Sequence, residues 1–415
     1  MEVTNAGNTR FAALTYRNFR LLWSGLIVSN MGTWMQNVAN SWLVLQLTDS
    51  PLWLGLLGFS FAIPMIVIPP FAGAIVDRVH RIRLLFLTQS LQMLNALALA
   101  LLTWSGRVEV WHILLNAFLG AVLLAFDNPA RQALFPDLVA PRDLFNALSL
   151  NSATYTGAAL IGPALAGLLL EPLGAGTLFF LNSVSFLAVI FALTAMRDVR
   201  THSGGQSGSL GSSFLSGLSY AWNHRLVLAL LALSAVGAIF GRSYQSLLPA
   251  FSRDIWQAGA EGYGLLLAAA GAGALIGAFG LAASKKVLRQ GALMLANGLL
   301  FCVVLIVFSL SPSFVLGLIL LVVAGITSTV FSTVIATFLQ ISAPPEMRGR
   351  VMSLYTVTLI GLPSLGAMGS GAVAEWLGGV EGAPHAVLIG AVIFSVILLL
   401  VIPLFWKQDL PQRFG

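Results

Sequence analysis

The chain has 415 residues, of which 58% are hydrophobic and only 9% charged, with a mean hydropathy of +0.90. A soluble domain carries roughly 25% charged residues, so this composition excludes a water-covered globular protein and points to repeated membrane crossing. The net charge of +6 lies in short stretches between apolar runs, which argues against a nucleic-acid surface, and the single cysteine, Cys302, excludes an internal disulfide or a cysteine metal site.

A bilayer-spanning helix needs about 20 mostly apolar residues. In chain order the apolar runs predict twelve spans: 21–47, 52–76, 84–104, 110–134, 146–170, 177–196, 226–250, 263–283, 291–310, 314–340, 351–373 and 385–405. A tail over 1–20 precedes them and shows no cleavable segment; a second tail covers 406–415. Six spans fall in 21–196 and six in 226–405. The linker between them, 197–225, is rich in Gly and Ser over 203–209 and ends in a predicted surface helix over 214–225.

If the N-terminal tail is cytoplasmic, eighteen of the 21 Lys and Arg residues fall on the cytoplasmic side, leaving Arg107, Arg242 and Arg253. That bias predicts that both termini are cytoplasmic. Trp53, Trp104, Trp111, Trp256 and Trp376 fall near outer span ends, and Trp23, Trp222 and Trp406 near inner ones, as interfacial anchors would.

The two groups of spans repeat one another. Gly32, Gln36, Gly55 and Leu56 recur as Gly241, Gln245, Gly264 and Leu265. Ser149, Leu150, Gly162, Gly167, Glu171 and Gly174 recur as Ser353, Leu354, Gly366, Gly371, Glu375 and Gly378. Each set keeps a constant offset. Two parallel six-helix repeats place a cargo site near the membrane midplane between them.

Polar residues inside spans are the functional candidates. Span one carries Asn30, Thr33, Asn37 and Asn40 at helical spacing, expected to line a cavity; interhelical hydrogen bonding is the plainer reading. Tyr244, Gln245 and Ser246 occupy the matching level of span seven. Asp127 and Arg131 stand one turn apart on span four and should pair. Such a pair favours a permanently charged Asp127 acting as a conformational latch, with a proton carrier or a structural role as alternatives. Arg242 is expected to snorkel to the outer surface rather than to bind cargo. Gly157, Gly162, Pro163 and Gly167 on span five suit close helix packing and a bend.

The loop between spans two and three reads Gly73-x-x-x-Asp77-Arg78-x-x-Arg81-x-Arg83. It resembles the corresponding loop of the major facilitator superfamily, with His80 where that family usually has Gly. The span-five Gly-Pro stretch is similar to a signature of exporters in the superfamily, except that Ala166 stands in place of Gly. Tyr16-Arg17-Asn18-Phe19-Arg20, Phe126-Asp127-x-Pro129-Ala130-Arg131-Gln132 and Arg348-Gly349-Arg350-Val351 resemble the branch containing the enterobactin exporter and transmembrane secretion effectors.

The resemblance implies an all-α membrane protein with twelve helices in two pseudo-symmetric six-helix bundles. It implies a proton-coupled exporter in a bacterial inner membrane. It also implies that Gly73, Asp77, Arg78 and Arg81 form an inner latch, with Asp77 facing the helix start near Arg350 and Arg81 meeting Asp127. In the second half the latch looks weakened, because Ser284 replaces the Asp beside Lys285 and Lys286.

No Gly-x-x-x-x-Gly-Lys loop, His-Glu-x-x-His or Gly-x-Ser-x-Gly occurs, so an enzyme is not expected and no cofactor is implied. A proton crossing a potential of roughly 150 mV supplies about 3.5 kcal/mol, enough for a secondary transporter. The expected partners are a small molecule, protons and the lipid bilayer, with the chain a monomer. The nearly uncharged interior argues for a weakly polar or apolar cargo; siderophores and drugs fit the branch alike. An uptake or lipid carrier on the same fold, or a non-transporting membrane protein, is the alternative.

Overall fold

The computed structural model describes residues 11–76, 78–197, 210–284 and 290–405. All regular structure among the described residues is helical. The helices of the first half are α1 (Arg17–Thr48), α2 (Pro51–Val67), α3 (Pro69–Val76), α4 (Arg81–Trp104), α5 (Val110–Leu138) and α6 (Leu144–Ala195). Then come α7 (Leu210–Asn223), α8 (Arg225–Val236), α9 (Tyr244–Ala250), α10 (Gly259–Ala283), α11 (Gln290–Ser309), α12 (Phe314–Ser342), α13 (Pro345–Ile360), α14 (Leu362–Trp376) and α15 (Ala383–Phe405).

Nine helical runs among the described residues are long and apolar enough to cross a membrane. At 32 residues α1 is long enough as well, but its Asn and Gln side chains dilute its apolar character. The predicted spans 146–170 and 177–196 merge into one 52-residue run, α6. Straight, that run would reach about 78 Å, more than twice the hydrocarbon thickness. It is not straight. Ala13 bonds Asn146 at its start, and Arg17 bonds the carbonyl of Ala195 at its end. Both ends therefore lie beside the start of α1, and the chain reverses at Gly174, whose φ of 76° only glycine adopts without strain.

The tail motif before α1 explains itself in this setting. The Tyr16 hydroxyl donates to Asp143 at 2.7 Å, and Asn18 donates to the carbonyl of Arg197 at 2.8 Å. Phe19 is fully buried, 6.0 Å centroid to centroid from Phe135, in a core built with Leu22, Leu85 and Leu134. One short motif thus ties both limbs of α6 to α1 at what we term the basic end.

The two halves meet along two seams at the far end. In one, α2 packs on α14; in the other, α6 packs on α10. Glycines from both repeat sets make the contacts. A Cβ on Gly371 would lie 2.5 Å from the Pro51 carbonyl oxygen and 3.4 Å from the Gly55 Cα. A Cβ on Gly167 would lie 2.9 Å from the Gly264 Cα. Gly55 and Gly264 hold equivalent positions in the sequence repeat, as do Gly371 and Gly167. Each seam therefore pairs one member of each set.

The predicted surface helix is present as α7, which packs on the start of α13: Ser216 accepts a hydrogen bond from Arg350 at 2.8 Å.

Candidate functional site

The antiparallel pairing of α4 with α5 sets which side chains meet. Asn95 and Asn116 exchange side-chain-to-carbonyl hydrogen bonds at 3.0 and 2.8 Å. Two turns nearer the basic end, Thr88 and Gln89 donate to one Asp127 oxygen at 2.9 and 2.8 Å, and Arg131 donates to the other. At the basic end, Arg81 bonds Asp137 at 2.7 Å and the Ala133 carbonyl at 3.0 Å.

Arg81 therefore does not meet Asp127. It stands at the start of α4, level with the last turns of α5, and Asp127 lies ten residues or about 15 Å further along that helix. Among the described residues, Asp127 is the only charged residue counted as fully buried. Three donors solvate it in place of water. The ion pairs of this region, Arg81–Asp137 and Arg131–Asp127, both lie inside the first half rather than between halves. Asp77 lies outside the described residues. Arg78 is exposed, and Gly73 sits within α3. In the second half Ser284 donates to the Gly280 carbonyl, and Lys285 and Lys286 lie outside the described residues.

The stripe on α1 divides. Asn37 is exposed, Asn30 and Thr33 are half-buried, and Asn40 is buried with its Oδ1 unpartnered. Thr33 returns its hydroxyl to the Ser29 carbonyl. The side chain that does link helices is Gln36, which the spacing argument left aside. It donates to Asn116 at 2.9 Å and accepts from Asn182 at 2.7 Å, joining α1, α5 and α6. Gly32 lets this happen: a Cβ there would lie 2.5 Å from the Ser185 hydroxyl and 2.7 Å from the Asn182 amide oxygen. The sequence signal was Gln36 recurring as Gln245.

On α6, Gly162 admits Trp34, whose Cβ would be 2.6 Å from an added Cβ, while Gly157 approaches nothing. The helix runs on through the buried Pro163. Gly162, Gly167 and the Pro163 carbonyl, which faces Gly264, are thus the close contacts of the four.

In the second half Arg242 is exposed and stands near the middle of its helical run rather than close to the outer end. The helical run extends from Arg225 to Ile255, past the predicted boundary at 250, so Arg242 lies near its middle, about 20 Å from its far end. Arg242 follows a wide π-helical turn, Gly237–Gly241, a geometry frequent at functional sites.

It lines a cavity of about 80 Å³ together with Ser234, Ser328, Thr329 and Ser332 on the polar side and Phe301, Phe331 and Phe394 on the apolar side. Tyr244 is buried edge-on against Phe301 and Phe308, beside the half-buried Gln245 and Ser246.

At the far end Arg253 ties the halves together. Its guanidinium bonds Asp49 at 2.7 Å and the Leu45 carbonyl at 2.9 Å, and is held by Asp254 at 2.9 Å. Ser50 donates to Glu375 at 2.7 Å. Charge counting had marked Arg253 only as an outer residue; its acidic partner is 204 positions away in sequence, so no local pattern could identify it.

A family model described as transmembrane secretion effector matches residues 8–412. The staphyloferrin A transporter of Staphylococcus aureus (strain NCTC 8325 / PS 47) is 26% identical over 78% of this chain and 81% of its own. The enterobactin exporter EntS of Escherichia coli O1:K1 / APEC is 26% identical over 94% of this chain and 92% of its own. Among solved structures, a bacterial homolog of the human lysosomal transporter Spinster, inward-facing and unoccupied, superimposes with a TM-score of 0.75 at 16% identity, over 95% of this chain and 99% of that one.

Proposed function

The chain belongs to the transmembrane secretion effector family of major facilitator transporters, and on that premise we propose that it exports small apolar or siderophore-like molecules by alternating access, in exchange for protons. It is a multi-span membrane transporter and not an enzyme.

The finer reading is as follows. The protein resides as a monomer in a bacterial inner membrane with both termini cytoplasmic, so the basic end faces the cytoplasm. Counting α6 as two limbs about Gly174, and adding α1 and the α2–α3 pair to the other spans, supports twelve spans. They form bundles over 21–196 and 226–405, joined by the linker 197–225, with tails over 1–20 and 406–415. Cargo binds between the halves, near Asn30, Thr33 and Asn37 on one side and Arg242, Gln245 and Ser246 on the other. Asp127, Arg131, Arg81 and the loop residues Gly73, Asp77 and Arg78 stiffen the basic end of the first half and bias which state is populated.

The observation that carries this reading is the far-end closure. Two glycine seams related by the sequence repeat, together with Arg253 on Asp49 and Leu45, bring the halves into contact. Asp49 is 76% exposed, so water can take over its bond when the halves part. Parting the halves also uncovers apolar surface, since Trp42 and Tyr263 stack across the interface within one buried cluster.

The test is transport in proteoliposomes with an imposed pH gradient and fluorescent hydrophobic compounds. Gradient-dependent movement supports the antiporter, and movement that ignores the gradient overturns proton coupling. Arg253→Ala should shift the halves toward far-end opening, read as a longer spin-label distance between Leu47→Cys and Gln257→Cys in a Cys302→Ala background. An unchanged distance removes Arg253 from the gate.

A further inference from the structure

Arg242 differs from the arginines Arg81, Arg131 and Arg253, each of which is paired. Arg131 has Asp127, Arg81 has Asp137 and Arg253 has two aspartates. No described residue offers Arg242 a hydrogen bond or an ion pair, and its cavity contains no acidic side chain. A charge at membrane depth without a counter-charge is costly, and such residues mark ligand paths. The hydroxyl of Thr329, which lines the same cavity, also has no hydrogen bond among the described residues. By contrast, Ser328, Ser332 and Ser234 are bonded to Gly325, Ser328 and Thr358. Two unused donor groups therefore border one cavity, opposite a wall of Phe301, Phe331 and Phe394.

We propose that this cavity is an anion subsite: the Arg242 guanidinium and the Thr329 hydroxyl take the carboxylate of an organic anion whose apolar body lies against the three phenylalanines. The proposal rests on the space between the halves being the cargo route. A planar guanidinium matches a carboxylate with two parallel hydrogen bonds. One cation without a second beside it matches a monoanion better than a doubly charged phosphate. The cavity is small, so it holds the acid group and its stem. It adds an acid group to the weakly polar or apolar cargo expected from the nearly uncharged interior.

The test is equilibrium binding to the full-length protein in phosphatidylcholine nanodiscs, with three probes that share one fluorophore: dansylglycine (anionic), dansylamide (neutral) and dansylcadaverine (cationic). Wild type should bind dansylglycine about tenfold or more tightly than the other two. Arg242→Gln should weaken dansylglycine by about tenfold and leave dansylamide within about twofold; Arg242→Lys, which keeps the charge, should retain the preference in part.

A wild type without preference for the anion overturns the proposal. So does an Arg242→Gln protein that binds dansylglycine normally, or a parallel loss of all three probes in both variants. If dansylglycine binds at Arg242 but is moved under no gradient, the transport reading fails and the anion subsite stands. If vesicles move neutral and anionic probes alike, the subsite fails and transport stands.

Discussion

The two halves share a frame and differ in what fills it. Gly32 and Gly241 hold equivalent repeat positions, and each faces a late helix of its own half. Gly32 faces Ser185 and Asn182, polar groups that continue through Gln36 and Asn116. Gly241 faces Phe394 and Phe301, part of an aromatic cluster that continues through Tyr244, Phe308, Phe251 and Trp256. The first half is held by directional hydrogen bonds around a buried carboxylate. The second is held by non-directional aromatic packing beside an arginine with no partner among the described residues. Hydrogen-bond networks fix one arrangement, since a partner lost is a buried group unsatisfied. The comparison casts the first half as the rigid member and the second as the one that offers a charge to cargo.

The largest expected effect tests that contrast in the charges. Asp127→Asn leaves Arg131 facing an amide in a buried site, and breaking such a pair costs about 3 kcal/mol or more. Thermal unfolding in detergent should show a fall of several degrees. Arg242→Gln, equally a loss of one charge within a span, should leave the unfolding temperature nearly unchanged, since no described residue pairs with its guanidinium. Equal falls in the two variants would erase the distinction.

A smaller effect tests the symmetry instead of the difference. Gly264→Val and Gly55→Val place side chains in equivalent seams. A Cβ on Gly264 would lie 2.8 Å from the Gly167 Cα, and one on Gly55 would lie 2.8 Å from the Met368 Cα. Overpacking of this kind costs about 1–3 kcal/mol. Here it falls on the far-end-closed arrangement alone, so transport should drop in both variants by similar factors of about ten or more while unfolding changes little. A loss confined to one seam would mean that the halves do not move as equivalent bodies.

How much could be read beforehand follows from where the information lies. Apolar run lengths located the helices, and the repeat offsets identified Gly55, Gly167, Gly264 and Gly371 before their contacts were known. Asp127 and Arg131 are one turn apart, so helical geometry alone pairs them. Arg81 was misplaced because its partner depends on the offset between α4 and α5, which no local pattern encodes. Arg242 stood near a span end in sequence because the apolar stretch was cut at 250, whereas the helical run continues to Ile255. Gln36 was passed over because the polar stripe was drawn through Asn30, Thr33, Asn37 and Asn40, while the network uses the adjacent face. Arg253 and Asp49 could not be joined from sequence at all.

The smallest expected effect sharpens the picture of the first half as a bonded unit. Tyr16 anchors α1 to the start of α6 through one hydrogen bond to Asp143, and Tyr16→Phe removes that bond without removing the ring. The expected loss is about 1 kcal/mol. The same bond makes the contribution depend on pH in a defined direction. The Asp143 carboxylate accepting the phenolic proton, with burial adding to it, pushes the Tyr16 hydroxyl above its usual value of 10.0. A group whose value is raised on folding contributes full stability below its unfolded value and loses it as the pH climbs through the folded one. The wild type and Tyr16→Phe should therefore differ by a constant amount from pH 7 to pH 9 and converge above pH 10. Convergence already at pH 8 would show that the anchor depends on another group, and the tail motif would then owe its hold on α6 to Arg17, Asn18 and the buried Phe19 alone.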